Sequence, residues 1–176
     1  LVGSEMCIRD RGDFSNNIYS GSIGVKYGAH RVALSHQRNN GDDDFDYLRQ
    51  SDSIFLDNSL QYSDFNSPKE RSWMVRYDLD MADFGVPGLS FMARYALGRD
   101  ADYSNANSIY MRTDGAGNPL TDQKRWERNL EVKYVFLEGS LKDLSVRVRQ
   151  MTTRATAYES DLDEVRVIVE YPLQVL

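Results

Sequence analysis

Cysteine occurs once in the 176 residues, at Cys7, which excludes an internal disulfide framework and any cysteine-cluster metal site. Histidine occurs twice, at His30 and His36, too few for a histidine-built zinc centre. There is no phosphate loop, nucleotide fingerprint or metal motif, so no cofactor is expected. Basic excess is also missing: the formal net charge is −6, and nothing in the pattern gives a nucleic-acid footprint. No apolar run approaches the roughly 20 residues that a membrane helix needs. That last absence leaves a transmembrane β-barrel open, because barrel strands alternate in polarity and average to neutral hydropathy.

Aromatic residues, in contrast, are plentiful, with 11 tyrosines, 7 phenylalanines and 2 tryptophans. They fall on alternate positions. Between Ser72 and Asp80, the apolar series Trp73, Val75, Tyr77 and Leu79 interleaves with Arg76, Asp78 and Asp80. After a turn containing Gly85, Pro87 and Gly88, Leu89, Phe91, Ala93, Tyr95 and Leu97 interleave with Ser90, Met92 and Arg94. Period two is the mark of a strand, whose successive side chains leave opposite faces. The pair reads as an antiparallel hairpin with one aromatic face and one charged face.

The same alternation recurs along the chain. Strands are predicted over Asn17–Tyr27, over a return segment with Val32 and Leu34, and over Trp126–Phe136. Two more carry Leu144, Val146 and Val148, and then Val165, Val167, Val169, Tyr171 and Leu173. With the central hairpin the total is seven, all antiparallel. Their connections run short, long, short, long, short, medium. A soluble sandwich has no reason for this rhythm, whereas an outer-membrane barrel carries tight turns at one rim and long loops at the other. The expected fold is therefore all-β: seven antiparallel strands of an up-and-down transmembrane barrel. Apolar residues would face lipid and charged ones a wet interior.

On the charged face, Arg76, Arg94, Lys133, Arg147, Arg149 and Arg166 lie at comparable distances from the short turns or the C-terminus. They are expected to stack at mid-height, where charges lining a narrow lumen concentrate counter-ions. Arginine suits this role because its planar fork binds carboxylates and stays charged. The competing reading is that Asp78, Asp80, Glu127, Glu131 and Glu170 simply neutralise them.

Four segments now carry a resemblance. SIFLDNSLQYSDFN, YDLDMADFGVPGLSFMARY, DLSVRVRQ and DEVRVIVEYPLQVL resemble the C-terminal half of the OprD-type porins, the substrate-specific carboxylate channels of the outer membrane. The resemblance implies an 18-stranded barrel in the intact protein, of which these would be the last seven strands. It also implies an external loop folded into the lumen as a constriction, with Asp52, Ser53, Ser59, Tyr62 and Asp64 at substrate-contacting positions. Arg147, Arg149 and Arg166 would belong to a basic ladder. The implied function is diffusion of small carboxylate-bearing solutes such as amino acids across the outer membrane of a Gram-negative bacterium. Lipid and lipopolysaccharide would surround the barrel, and homo-oligomers are open; a catalytic role is not expected.

Residues 1–11 (LVGSEMCIRDR) resemble a translated adapter and are set aside as non-native, leaving 12–176 as the C-terminal part of a barrel. The sequence departs from the porin pattern in ending at Leu176 rather than an aromatic residue, and in placing Pro172 in its final strand. Two alternatives remain. One is a soluble β-sandwich or small barrel that binds a ligand. The other is an outer-membrane hydrolase assembled from Asp52, Ser53, Ser59 and Asp64, which lacks a placed histidine base.

Overall fold

Cross-strand register turns the period-two patterns of separate segments into two continuous faces. The computed structural model describes residues 2–8, 12–45 and 56–172, with side chains from residue 16 onward. Eight strands form one antiparallel sheet in sequence order: β1 (Val2–Ile8), β2 (Gly12–Tyr27), β3 (His30–Asn39) and β4 (Arg71–Asp80), then β5 (Leu89–Ala101), β6 (Gln123–Val135), β7 (Ser145–Ala155) and β8 (Leu162–Glu170). The seven predicted strands are β2 to β8. The additional β1 lies in the segment set aside above and pairs in register with β2.

One transverse row shows how the faces arise. Val25 pairs with Val32, Val32 with Tyr77, Tyr77 with Ala93, Ala93 with Leu130, Leu130 with Gln150 and Gln150 with Val165. All seven leave the same side of the sheet. This apolar side is uncovered: Val75, Phe91, Tyr95, Val132, Val148 and Val167 are all exposed, the last by 66%. Among the described residues no second sheet packs on it, so the β-sandwich alternative is excluded. An apolar face of this extent is a liability in water and the expected coat of a barrel in lipid. Its height fits. From Trp126 to Phe136, near the two ends of β6, the rise is roughly 34 Å along the strand and about 25 Å across a tilted barrel wall.

Burial lies on the polar side instead. The inward residues Ser35, Gln37, Ser72, Met74, Ala96, Glu127 and Asn129 are all buried. They are covered by residues 56–70, which lead into β4 and bond to several of them. The turn after β4 is closed by a short 3-10 segment (Ala82–Phe84) and Gly85 at φ 81°. The left-handed region costs glycine nothing, which is why the reversal can be that tight.

Candidate functional site

Three consecutive inward-facing rows hold the basic residues. In the first, Arg76 pairs with Arg94 and Arg94 with Asn129. The second runs Lys26, Arg31, Asp78, Met92, Glu131, Arg149, Arg166 across seven strands. In the third, Ser90 pairs with Lys133 and Lys133 with Arg147. Successive rows are two residues apart, about 7 Å along a strand, so the cations form a staircase rather than a single ring.

A groove of about 470 Å³ opens over this staircase. It is lined by Arg76, Arg94, Lys133, Arg147 and Arg149, five of the six predicted basic residues. Arg166 does not line it. It stands on β8, half exposed, with its Nε donating to Glu164 Oε1 at 2.5 Å. Two further cations, Lys26 and Arg31, line the groove and were missed in the sequence reading. They flank the Gly28 turn at the end of the staircase, and the signal that reveals them is parity counted through that turn.

Ion pairing and free charge coexist here. Arg76 grips Asp78 through Nε, at 2.8 Å, and through Nη2, at 2.7 Å. Glu131 serves two arginines, bonding to Arg149 Nε at 2.7 Å and standing 3.6 Å from Arg147 Nε. Arg147 also reaches Glu170 at 3.4 Å. The carboxylates lining the groove are Asp78, Asp80 and Glu131, against seven cationic side chains. Pairing therefore orients the arginines without cancelling them. Lys26, Arg31 and Lys133 make no ion pair among the described residues.

The second half of the site is the loop. Ser59 Oγ donates to Asp64 Oδ1 at 2.6 Å, which closes a tight local turn. Tyr62 is 44% exposed, while its neighbour Ser63 is buried. Asp52 and Ser53 lie outside the described residues. None of Ser59, Tyr62 and Asp64 touches the groove directly. What joins loop to groove is Glu127, which sequence reasoning placed only among possible neutralising acids. Its carboxylate accepts from the backbone N–H of Gln61 at 3.0 Å and of Ser63 at 2.7 Å, with Tyr62 N–H between them at 3.3 Å. Asn129 Nδ2 donates to the same carboxylate at 2.8 Å, and Asn129 Oδ1 accepts from Arg94 Nε at 2.6 Å. A continuous polar chain thus runs from the loop backbone to an arginine of the groove.

Other anchors hold the loop down. Gln37 Nε2 donates to the carbonyls of Asp64 and Phe65 at 2.8 and 2.9 Å. The fully buried Asn58 bridges Ser35 and Ser72, at 2.6 and 2.8 Å. At the loop's end Glu70 accepts both Nε and Nη2 of Arg125, at 2.9 and 2.6 Å, and the guanidinium lies 4.8 Å from the Phe65 ring centre. Above these, Tyr103, Ala106, Leu120 and Tyr158 form a small apolar cluster. Burial in that cluster pushes the Tyr103 and Tyr158 hydroxyls well above the usual phenol range. Burial also raises the Asp44 carboxyl, a shift that Arg112 and the Tyr103 hydroxyl partly offset.

Comparison with known proteins agrees with this geometry. The family described as outer membrane porin, OprD family, matches residues 4–175. Porin D of Pseudomonas aeruginosa is 46% identical over 94% of the chain and 39% of its own length. The porin-like protein GalP of Pseudomonas putida is 31% identical over 94% of the chain and 36% of its own length. The crystal structure of the outer membrane protein OprD from Pseudomonas aeruginosa superposes with a TM-score of 0.83 at 47% identity, covering 94% of the chain and 43% of that structure. The chain thus spans less than half the length of each of these relatives.

Proposed function

The chain belongs to the OprD family of outer-membrane porins, and on that premise we propose that it forms part of a channel through which small carboxylate-bearing solutes, amino acids among them, diffuse. Its place is the outer membrane of a Gram-negative bacterium. Residues 12–176 form the C-terminal part of a larger barrel, with the charged face as one side of the lumen. The observation that carries the reading is the charge imbalance of the groove, seven cations against three carboxylates on one side of the sheet.

Such an imbalance in a water-filled passage attracts anions, and low-dielectric walls strengthen the field. A carboxylate entering from the loop side meets Arg94 and Arg76, then Arg149, then Lys133 and Arg147, at steps of about 7 Å. Each guanidinium is held by a neighbour at one edge of its fork, as Arg94 is by Asn129, leaving other N–H groups for the solute. Several sites of moderate strength, rather than one strong one, allow release as well as capture. To the loop residues Asp52, Ser53, Ser59, Tyr62 and Asp64 we assign the constriction and the contact with the amine of an amino-acid solute.

We assign no catalytic role. The Ser59 hydroxyl is directed at Asp64, while His30 bonds to the Tyr77 hydroxyl and His36 to the Ser72 carbonyl. Planar-bilayer recording of the full-length protein tests the transport reading. Conductance is expected, with a carboxylate-anion flux that falls when Arg149→Ala removes one step. An insulating protein, or a flux indifferent to Arg149→Ala and Lys133→Ala, overturns it.

A further inference from the structure

On the opposite, apolar side of the sheet stands a second group of arginines. Arg38 pairs directly with Arg71, and Arg71 with Arg99, so three cations from adjacent strands stand side by side on the outward face. Like charges directly opposite one another in a sheet are destabilising unless an anion joins them. Among the described residues only Asp100 does so, through Arg71 Nε at 2.7 Å. Arg38 and Arg99 make no ion pair or side-chain hydrogen bond among the described residues.

The backbone is adjusted to make this cluster. Between Gly98 and Ala101 the β5–β6 register slips, and Asp100 takes φ 65°. The bulge brings Asp100 beside Arg71 next to Arg99, where a regular strand would send neighbours to opposite faces. A non-glycine residue in the left-handed region persists where its surroundings hold it, and such outliers concentrate at binding positions. The next outward row is apolar and aromatic: His36 pairs with Trp73 and Trp73 with Leu97, with the His36 ring stacked on Trp73 at 4.2 Å. Between the two rows lies a groove of about 450 Å³.

We propose that this groove binds the phosphorylated headgroup of an outer-leaflet glycolipid. Phosphate oxygens sit between Arg38, Arg71 and Arg99, and the first acyl carbons lie on Trp73 and Leu97. Charge complementarity selects the phosphate, since guanidinium forks bind it bidentately. The apolar shelf directly below selects an anion that carries a tail. The height selects the leaflet: the site lies at the long-loop end of β3, β4 and β5, where the lipid-facing surface meets water. The inference rests on the lipid-facing reading of this side, and is independent of which solute crosses the lumen.

Native mass spectrometry of the full-length porin in detergent, titrated with bisphosphorylated lipid A, tests it. The same lipid after phosphatase treatment serves as the control. Wild-type protein is expected to retain phosphorylated lipid A and to retain the dephosphorylated form at least tenfold more weakly. Arg38→Gln with Arg99→Gln is expected to weaken retention roughly 25-fold, about fivefold for each arginine removed. Equal retention of both lipids by the wild type overturns the proposal without recourse to a variant. So does undiminished retention by the double variant, or a loss of subunit association in place of lipid, which would assign the cluster to a second copy of the chain. Bilayer conductance of the same preparations separates the two readings. A conducting protein without lipid selectivity removes only this site, and a lipid-selective protein without conductance removes only the channel.

Discussion

The Cα of Gly98 faces the carboxylate of Glu70 so closely that a methyl group built there would lie 2.1 Å from Oε1. The missing side chain is what lets the Glu70–Arg125 pair close beneath the loop. Both side chains are almost fully buried, at 0% and 2% exposure. A desolvated pair of this kind costs much to break and little to replace whole.

Gly98→Ala is therefore expected to displace Glu70 and destabilise the loop by about 1–3 kcal/mol, the usual cost of overpacking. Arg125→Ala goes further, leaving a buried carboxylate without its cation at a cost of about 3–5 kcal/mol. Replacing both Glu70 and Arg125 by methionine should recover most of that loss. Denaturant-dependent loss of the folded, heat-modifiable species on gels measures all three. A double variant as unstable as Arg125→Ala would show that the pair supplies more than mutual neutralisation.

Glu127 and its three peptide N–H partners supply the second test. Hydrogen bonds to an ionised acceptor are worth about 1.5–3 kcal/mol each, and a neutral amide has one acceptor oxygen in place of two. Glu127→Gln is expected to speed hydrogen exchange at the Gln61 and Ser63 amides by roughly tenfold or more. Because Asn129 links the same carboxylate to Arg94, single-channel current noise should rise as well. Faster exchange with unaltered noise would confine Glu127 to anchoring the loop.

The parts that could be read from sequence share a local cause. Trp73, Val75 and Tyr77 alternate with Met74 and Arg76 because a lipid-facing wall demands it, and that demand is written residue by residue. Where the wall leaves the lipid the demand ends. β7 runs on through Gln150 to Ala155, past the last predicted residue, Arg149, since its outward residues there, Gln150, Thr152 and Arg154, are polar and carry no alternation. The bulge at Arg99 and Asp100 was invisible for the same reason. Loop contacts were hidden by distance along the chain: Glu127 meets Ser63 across 64 residues, and no spacing rule spans that gap. Lys26 and Arg31 escape a search for mid-strand cations because they flank a tight turn at the ends of β2 and β3. Basic residues within the long strands were found by counting, yet which carboxylate each would hold was settled only by register.

Screening separates the free cation from the paired ones. Lys133 makes no ion pair among the described residues, whereas Arg76 is held by Asp78 at 2.7 Å. Removing either cation lowers the net charge of the groove by one unit, but Lys133→Ala leaves a neutral position whereas Arg76→Ala leaves the bare Asp78 carboxylate lining the passage. Carboxylate-anion flux at low salt is expected to fall further for Arg76→Ala than for Lys133→Ala. Both deficits should shrink as the Debye length shortens from about 30 Å at 0.01 M salt to about 3 Å at 1 M. Reversal-potential measurements across that range read the effect directly. Equal deficits would mean that Asp78 carries no field into the lumen.

Acid should tighten the external cluster around Asp44 before it loosens anything else there. Asp44 accepts from the Tyr103 hydroxyl at 3.2 Å, and the Arg112 guanidinium stands 3.7 Å away, yet burial outweighs both and lifts its pKa above the ordinary 3.8. A carboxyl whose folded pKa is raised binds more protons folded than unfolded throughout the window between the two values. Stability of the cluster therefore rises as pH falls through the folded value, and the gain is complete below 3.8. Asp44→Asn keeps an oxygen for Tyr103 and removes the buried charge, so it should protect the cluster at neutral pH and flatten the dependence. The Tyr103 amide, bonded to the Leu120 carbonyl at 2.9 Å, is the reporter. Its exchange protection, corrected for intrinsic pH effects, should increase from pH 7 toward pH 4 in the wild type and stay level in Asp44→Asn. Protection that instead decreases over this interval would mean that the attraction of Arg112 outweighs desolvation, with Asp44 ionised and stabilising.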